Sequence, residues 1–313
     1  MFRVHMPQDW NADQLSDIKA LLPQDIDLTQ LPSPVDMVIC GRPTAELLRC
    51  CTPSYLLLPF AGVPQETLGL LRTFRSIRVH NLHHNAGAAS ETALALMLAA
   101  ARGLLVADAA LRRGDWSPRY TPGGTILLLG SRVLILGCGS IGTLLRRACE
   151  ALGAVVHGVR RNPDPDPSIH TPDSLNDLLK TTDFLACCLP LTEETRGMIG
   201  SHQLSLLHSR SVLVNVGRAE VVSEEPLYNA LSRGEIGAAG LDVWYRYPGD
   251  PENTMPSSLP FHKLANVVMS PHRAGAYGVP ELERKRTIEI ARAIRAGAEG
   301  KPVPNPVDIE LGY

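Results

Sequence analysis

The sequence lacks an excess of charge of either sign: 30 Lys and Arg against 32 Asp and Glu leave a formal net charge of −2 at pH 7. Such a balance gives no electrostatic reason to expect nucleic acid or an anionic membrane surface as partner. It also lacks a Cys-x-x-Cys pair, so neither a zinc site nor a thioredoxin-like motif is suggested, and no metal is expected. The seven cysteines (Cys40, Cys50, Cys51, Cys138, Cys149, Cys187 and Cys188) are odd in number and include two adjacent pairs, a poor disulfide framework. No long hydrophobic run is present. The most apolar stretch, "TALALMLAAARGLLVADAAL", is interrupted by Arg, Gly and Asp, and the opening "MFRVHMPQDW" has no apolar leader segment. There is no internal repeat. These absences lead to the expectation of a cytoplasmic protein with free thiols, acting on small molecules without nucleic acid or membrane.

What is present is a chain of 313 residues, 44% hydrophobic and 20% charged, long enough for two domains. Short apolar runs, "VDMVICG", "SYLLLPFAG", "SRVLILGCGS", "AVVHGV", "DFLACCLP", "SVLVNVG" and "ANVVMSP", alternate with helical patterns. That alternation predicts parallel α/β architecture, and runs apolar at nearly every position fit strands covered by helices on both faces. In open α/β sheets ligands bind outside the carboxyl ends of the strands, so the loops that end these runs are where chemistry is expected. The stretch 88–113 reads as one long helix, followed by the Pro- and Gly-rich loop "GDWSPRYTPGG". The natural division places residues 1–97 and 285–313 in one domain and 98–284 in a nucleotide-binding domain, with the C-terminal helical stretch returning to the first.

The stretch "VLILGCGSIGTLLRRACEALGA" sets Gly137, Gly139 and Gly142 in a G-x-G-x-x-G pattern after a strand and at the start of a helix. The pattern alone is weak. Its strand-before, helix-after context makes it a dinucleotide site, with the pyrophosphate at the helix N-terminus. An NAD site carries an acid about 20 residues on, for the ribose hydroxyls. Here the next strand ends instead at Arg160 and Arg161. They read either as solvated arginines at a strand end or as binders of a 2′-phosphate; their offset from the glycine turn favours the second, hence NADP, with NAD possible.

Further along, "LLVNVGRAEVVSEEPLYNAL", "GAAGLDVWYRYPG" and "NVVMSPHRAGA" follow in fixed order, after "PFAGV", "NAGAASE" and "CCLPLTEETRGMI" and before "GKPVPNPVD". The chain resembles the D-isomer-specific 2-hydroxyacid dehydrogenases over most of its length, and glyoxylate and hydroxypyruvate reductases within that family. The resemblance implies a flavodoxin-like substrate domain and a Rossmann, doubly wound parallel-sheet cofactor domain closing over a small 2-oxo or 2-hydroxy acid, and a homodimer. It makes Arg218 the clamp on the substrate carboxylate that also polarises the 2-oxo group, and His272 the proton donor. Ala61, Gly62 and Val63 would bind the carboxylate through main-chain N–H groups, with Asn85 at the substrate mouth. Ser140, Ile141, Leu189, Pro190, Thr195, Val216 and Gly217 would line the cofactor, and Asp242 would hold its nicotinamide end. The chemistry asks for the same pair independently: hydride arriving at a carbonyl carbon leaves charge on oxygen, which needs a cation and an acid. His83 and His84 could line the substrate pocket or pack at the domain boundary, while Cys187 and Cys188 read as strand packing.

One position departs from the family pattern. Five residues after Asp242, where a glutamate usually holds the catalytic histidine protonated, stands Tyr247. A tyrosine offers a hydrogen bond but no charge near neutral pH, so His272 is expected to titrate near or below its ordinary value. Glu252 and Glu281 are the alternative tuning groups. The neutral partner also leaves a formate-type dehydrogenase of small anions as one rival reading, and a nucleotide-sensing regulator without turnover as another.

Overall fold

The computed structural model describes residues 1–7, 10–120, 126–249 and 254–313. The chain divides into two compact units, 1–85 with 277–313, and 86–276. The first holds a parallel five-stranded sheet of β1 (Phe2–His5), β2 (Ile26–Thr29), β3 (Met37–Ile39), β4 (Tyr55–Leu57) and β5 (Arg78–His80), in the order β2-β1-β3-β4-β5. That is the flavodoxin-like order. The second holds a parallel seven-stranded sheet: β6 (Arg132–Leu136), β7 (Val155–Val159), β8 (Ile169–His170), β9 (Phe184–Cys187), β10 (Val212–Asn215), β11 (Ala238–Leu241) and β12 (Val267–Met269). Their order, β12-β11-β10-β9-β6-β7-β8, is the doubly wound Rossmann order with one further strand.

Each of the seven apolar runs contains a strand, and the side chains explain why. Successive residues of β6 enter opposite cores: Val133 and Ile135 pack with Ala186 and Val214 on one face, Leu134 and Leu136 with Leu185 and Leu213 on the other. With helices over both faces, no position of such a strand is left for a polar residue.

Two expectations are corrected. The helix read as one piece is two, Ala86–Ala101 and Leu104–Leu111, bent by 66°. Gly103, at φ +56°, takes the left-handed conformation that glycine adopts without steric cost and so ends the first segment. The domain boundaries also shift, to 85/86 and 276/277. Ala86–Ala101 belongs wholly to the second unit because its small face, with Ala89, Ala93, Met97 and Ala101, fills that unit's core. A Cβ on Gly240 of β11 would meet the Leu96 carbonyl oxygen at 3.0 Å, so the helix lies directly on the strand. Likewise Pro280–Ala298 belongs entire to the first unit, where Ile290, Ala293 and Ile294 pack with Val4, Met37 and Ile39. Among the described residues no single helix is long and apolar enough to cross a membrane.

Candidate active site and nucleotide cradle

In the second unit the order of strands reverses between β6 and β9, so the loops leaving their carboxyl ends flank a crevice. Gly137, the first residue after β6, has φ +94°, and a Cβ there would meet the Cys188 carbonyl oxygen at 2.9 Å. Gly142 is tighter still: its Cβ would lie 2.0 Å from the Gly137 carbonyl oxygen, so only glycine lets the helix Ser140–Ala151 start against the turn. Gly139 is the opposite case, exposed and with nothing within 4 Å of an added Cβ. It is also the N-cap of that helix and supplies no side-chain cap. An uncapped N-terminus beside an open glycine suits the pyrophosphate of a dinucleotide. Ser140 is exposed there and Ile141 half-buried.

The loop after β9 forms the next wall. Thr195 Oγ accepts from the Thr192 N–H at 2.8 Å and donates to the Pro190 carbonyl at 2.7 Å, while the Thr195 N–H returns to Thr192 Oγ at 3.2 Å. Leu189 and Pro190 are half-buried at its root. A Cβ on Gly217 would stand 2.5 Å from the Leu189 carbonyl oxygen, so the loops after β9 and β10 approach as closely as backbone allows. Val216 is buried beneath them, its N–H on the Cys187 carbonyl at 3.1 Å. Beyond β7, Arg160 donates to Asp164 at 2.8 Å and Arg161 Nε to Glu194 at 3.1 Å.

The candidate catalytic residues lie in the loops after β10, β11 and β12. Asn215, which the sequence reading passed over, shapes the first loop: its Oδ1 accepts from the Gly217 N–H at 3.1 Å and its Nδ2 donates to the Arg218 carbonyl at 3.0 Å. Arg218, half-buried, donates one N–H to the Gly217 carbonyl at 2.7 Å, and among the described residues no other hydrogen bond engages its fork. After β11 comes Asp242, wholly buried, whose carboxylate accepts from Ser270 Oγ and from the N–H groups of Arg273 at 2.8 Å and Ala274 at 2.9 Å. The structure thus gives Asp242 a task the sequence did not show, that of tying down the loop that carries the histidine. His272 sits in that loop at φ +54°, a conformation costly for a residue with a Cβ and retained because Ser270 before it and Arg273 and Ala274 after it are bonded to Asp242.

Tyr247 Oη lies 2.7 Å from His272 Nδ1 and accepts the Trp244 N–H at 3.3 Å. Trp244 in turn donates its indole N–H to the Ser270 carbonyl at 2.8 Å. Burial pushes the His272 pKa below its ordinary value and the Arg218 charge adds to this, against a smaller opposing effect of Asp242. Burial raises the Tyr247 pKa. Arg218, Asp242, Tyr247 and His272 therefore form one electrostatic group. Glu252 lies outside the described residues, and Glu281 belongs to the first unit, in the first turn of Pro280–Ala298.

In the first unit the loop 61–63 follows β4, its three residues half-buried, with the Ala61 carbonyl accepting from Asn81 Nδ2 at 2.6 Å. Among the described residues the N–H groups of Ala61, Gly62 and Val63 are engaged by no acceptor. Asn85 is half-buried at the end of this unit's first segment. His83 and His84 face Pro280–Ala298: the His83 N–H donates to Glu289 at 3.2 Å, and His84 lies near Arg286 and Glu283, with both imidazoles lowered in pKa chiefly by burial. They pack within the first unit. Among the described residues none of the seven cysteines forms a disulfide, and burial drives the Cys187 thiol pKa far up, as a strand-packing residue requires.

Comparison with known proteins matches this architecture. Residues 94–274 fit the model of the NAD binding domain of D-isomer specific 2-hydroxyacid dehydrogenases. A glyoxylate reductase of Aeropyrum pernix is 35% identical over 232 residues, 72% of this chain and 67% of that protein. A D-3-phosphoglycerate dehydrogenase of Methanocaldococcus jannaschii is 31% identical over 70% of this chain, which spans only 41% of its length. Among solved structures, a D-isomer specific 2-hydroxyacid dehydrogenase from Xanthobacter autotrophicus Py2, in complex with NADPH and MES, has a TM-score of 0.78 at 25% identity over 100% of this chain and 99% of that one. An NADPH-dependent glyoxylate/hydroxypyruvate reductase from Sinorhizobium meliloti, in complex with NADP and sulfate, shares the fold at a TM-score of 0.81 and 21% identity over 100% of both chains. With more than half of the chain under the family model, and a strand order and glycine turn to match, this protein belongs to the D-isomer-specific 2-hydroxyacid dehydrogenase family of NAD(P)-dependent oxidoreductases.

Proposed function

We propose that the protein reduces a small 2-oxo acid, of the size of glyoxylate or hydroxypyruvate, to the D-2-hydroxy acid with NADPH, and runs the reverse oxidation. The observation that carries this reading is the grouping of Arg218 with the Tyr247–His272 pair at the carboxyl ends of β10, β11 and β12. A bound reduced nicotinamide supplies hydride to the carbonyl carbon. Arg218 holds the carboxylate and stabilises the charge that grows on the 2-oxo oxygen, and His272 gives that oxygen its proton. The free amides of 61–63 support a role as further carboxylate donors, with Asn85 beside the substrate. Gly137, Gly139, Ser140, Ile141 and Gly142 would cradle the pyrophosphate; Leu189, Pro190, Thr195, Val216 and Gly217 would line the remainder, and Asp242 would serve the nicotinamide end through the loop it holds.

Arg160 and Arg161 support preference for NADPH, since guanidinium groups bind a phosphate with charge-assisted bonds and an NAD-type ribose acid is missing. Assays of glyoxylate, hydroxypyruvate and longer 2-oxo acids with both cofactors are expected to show turnover and at least a tenfold preference in kcat/KM for NADPH. The double variant Arg160→Ala, Arg161→Ala should abolish the preference. Equal kcat/KM for the two cofactors in the wild type, or a preference that survives the double change, refutes the NADPH assignment. The formate-type reading would be favoured only by oxidation of formate with no turnover of any 2-oxo acid.

A homodimer is the second part of the proposal. Leu104, Leu105, Trp116, Leu127 and Leu129, along and after the bent helix pair, are each at least half exposed. So many large apolar side chains in one stretch are expected to be covered. Sedimentation equilibrium should give twice the chain mass, and Leu105→Glu should shift it toward the monomer. A wild type that remains monomeric at micromolar concentration excludes this assembly.

A further inference from the structure

The two arginines that would read the cofactor's 2′-phosphate are each held by an acid of the same unit. Arg160 Nη1 bonds Asp164 at 2.8 Å, and both Nε and Nη2 of Arg161 bond one oxygen of Glu194. The acids differ in kind. Asp164 is mostly covered and its other oxygen accepts the Asp166 N–H at 3.0 Å, so it builds the loop around Arg160. Glu194 comes from the loop after β9, 33 residues away in sequence, and its side chain is 67% exposed. That loop is closed on itself by Thr192 and Thr195, which bracket Glu194 and need nothing from its carboxylate. Its attachment to Arg161 is therefore not required by the loop's own fold.

We propose that Glu194 is a specificity-determining residue, an internal anion that occupies the Arg161 fork in the free protein and competes there with the 2′-phosphate. The inference rests on the NADPH reading above and deepens it. One edge of a guanidinium, Nε with one Nη, is the face that grips a phosphate or a carboxylate. Glu194 takes that edge. A 2′-phosphate must displace the carboxylate or bind beside it, against like-charge repulsion. A cofactor with a free 2′-hydroxyl carries no charge there and leaves the pair intact. Because the carboxylate is largely in water, the pair is weak enough to be displaced. It thus moderates the preference for NADPH without abolishing it, and NADH remains admissible.

The test measures dissociation constants by titration calorimetry and nicotinamide fluorescence on the protein without substrate. Wild type, Glu194→Gln, Arg161→Ala and the double variant are compared with NADPH, NADH, and the fragments 2′-phospho-AMP and AMP. Glu194→Gln is expected to tighten NADPH and 2′-phospho-AMP about fivefold while leaving NADH and AMP within twofold. In the Arg161→Ala background the same change should tighten NADPH less than twofold, because only like-charge repulsion is then relieved and there is no fork to compete for. If Arg161→Ala weakens NADPH but Glu194→Gln does not strengthen it, or strengthens NADH equally, the competition is overturned while the NADPH assignment stands. If Arg161→Ala leaves NADPH unmoved and wild type holds both cofactors equally, the NADPH reading falls and takes this proposal with it.

Discussion

Arg218→Ala should lower kcat/KM for the best 2-oxo acid about a thousandfold, divided between a higher KM and a lower kcat. The argument is geometric and electrostatic. A carboxylate beside a 2-oxo group offers two charge-assisted bonds to a guanidinium fork, and these are present in the bound ground state, so losing them raises KM. The charge that develops on the 2-oxo oxygen exists only as hydride arrives, so losing the cation beside it lowers kcat. Removing a single donor to such an oxygen costs on the order of a hundred- to a thousandfold in other enzymes. Arg218→Lys returns the charge without the planar fork and should recover part of kcat but little of KM. NADPH affinity serves as the control for folding and should stay within twofold. Near wild-type kcat/KM in Arg218→Ala would remove this residue from the mechanism.

The parts of this site that sequence exposed were those where a residue type is forced. Gly137 and Gly142 could be read because a side chain at either would enter backbone, at 2.9 and 2.0 Å respectively. The central strands could be read because burial on both faces leaves only apolar residues. By contrast β11, Ala-Ala-Gly-Leu, has no β-branched or aromatic residue, and its small side chains are explained only by the helix that lies on Gly240. β1, β2, β5 and β8 are two to four residues long and carry polar side chains such as Arg3, Asp27, Arg78 and His170, so they leave no apolar run to find. The helix break at Gly103 was marked by the glycine itself, but nothing local distinguishes a tolerated helical glycine from one that turns left-handed.

The polar contacts were the least legible. Glu194 reaches Arg161 across 33 residues, and Asp242 bonds the loop after β12 from the end of β11, pairings that require the sheet order. Asn215 carried a local signal, an amide side chain two residues before a glycine at a strand end, the pattern of a turn in which side chain replaces backbone. Tyr247 stands out in the sequence only against the family pattern, which the resemblance supplies, of a glutamate five residues after Asp242. The structure then set its hydroxyl on the imidazole.

That contact leads to the largest expected effect of pH. His272→Ala should reduce kcat by about 10² to 10⁴, as removal of a general acid does, and the remaining question is where His272 titrates. Tyr247 is a partner for either protonation state. Where Nδ1 carries a proton, in imidazolium and in the neutral tautomer whose Nε2 can take one, the Tyr247 oxygen accepts from Nδ1–H; in the other neutral tautomer its hydroxyl donates to Nδ1, while its oxygen accepts the Trp244 N–H. It therefore fixes the ring without favouring the charge, and its own raised pKa keeps it neutral across the working range. Burial and Arg218 both disfavour a second positive charge, so the His272 pKa falls below its ordinary value. The sign follows directly. Reduction needs the imidazolium, so its rate should be highest at acid pH and fall as pH rises through a pKa at or below about 6.5. Oxidation needs neutral imidazole and should already be near its plateau at pH 7. Tyr247→Glu places a carboxylate on Nδ1, favours imidazolium, and should move both limbs upward by about one pH unit; Tyr247→Phe, which keeps the ring and removes the bond, should lower kcat without moving them upward. The measurement is kcat/KM against pH in both directions for the three proteins, with NMR titration of the His272 ring in the cofactor-bound form. A reductive profile flat to pH 8 in the wild type, or limbs unmoved by Tyr247→Glu, would mean that a group other than Tyr247 tunes His272. Glu281→Gln and Glu252→Gln would then be the variants to compare, and the one that shifts the profile downward identifies the group.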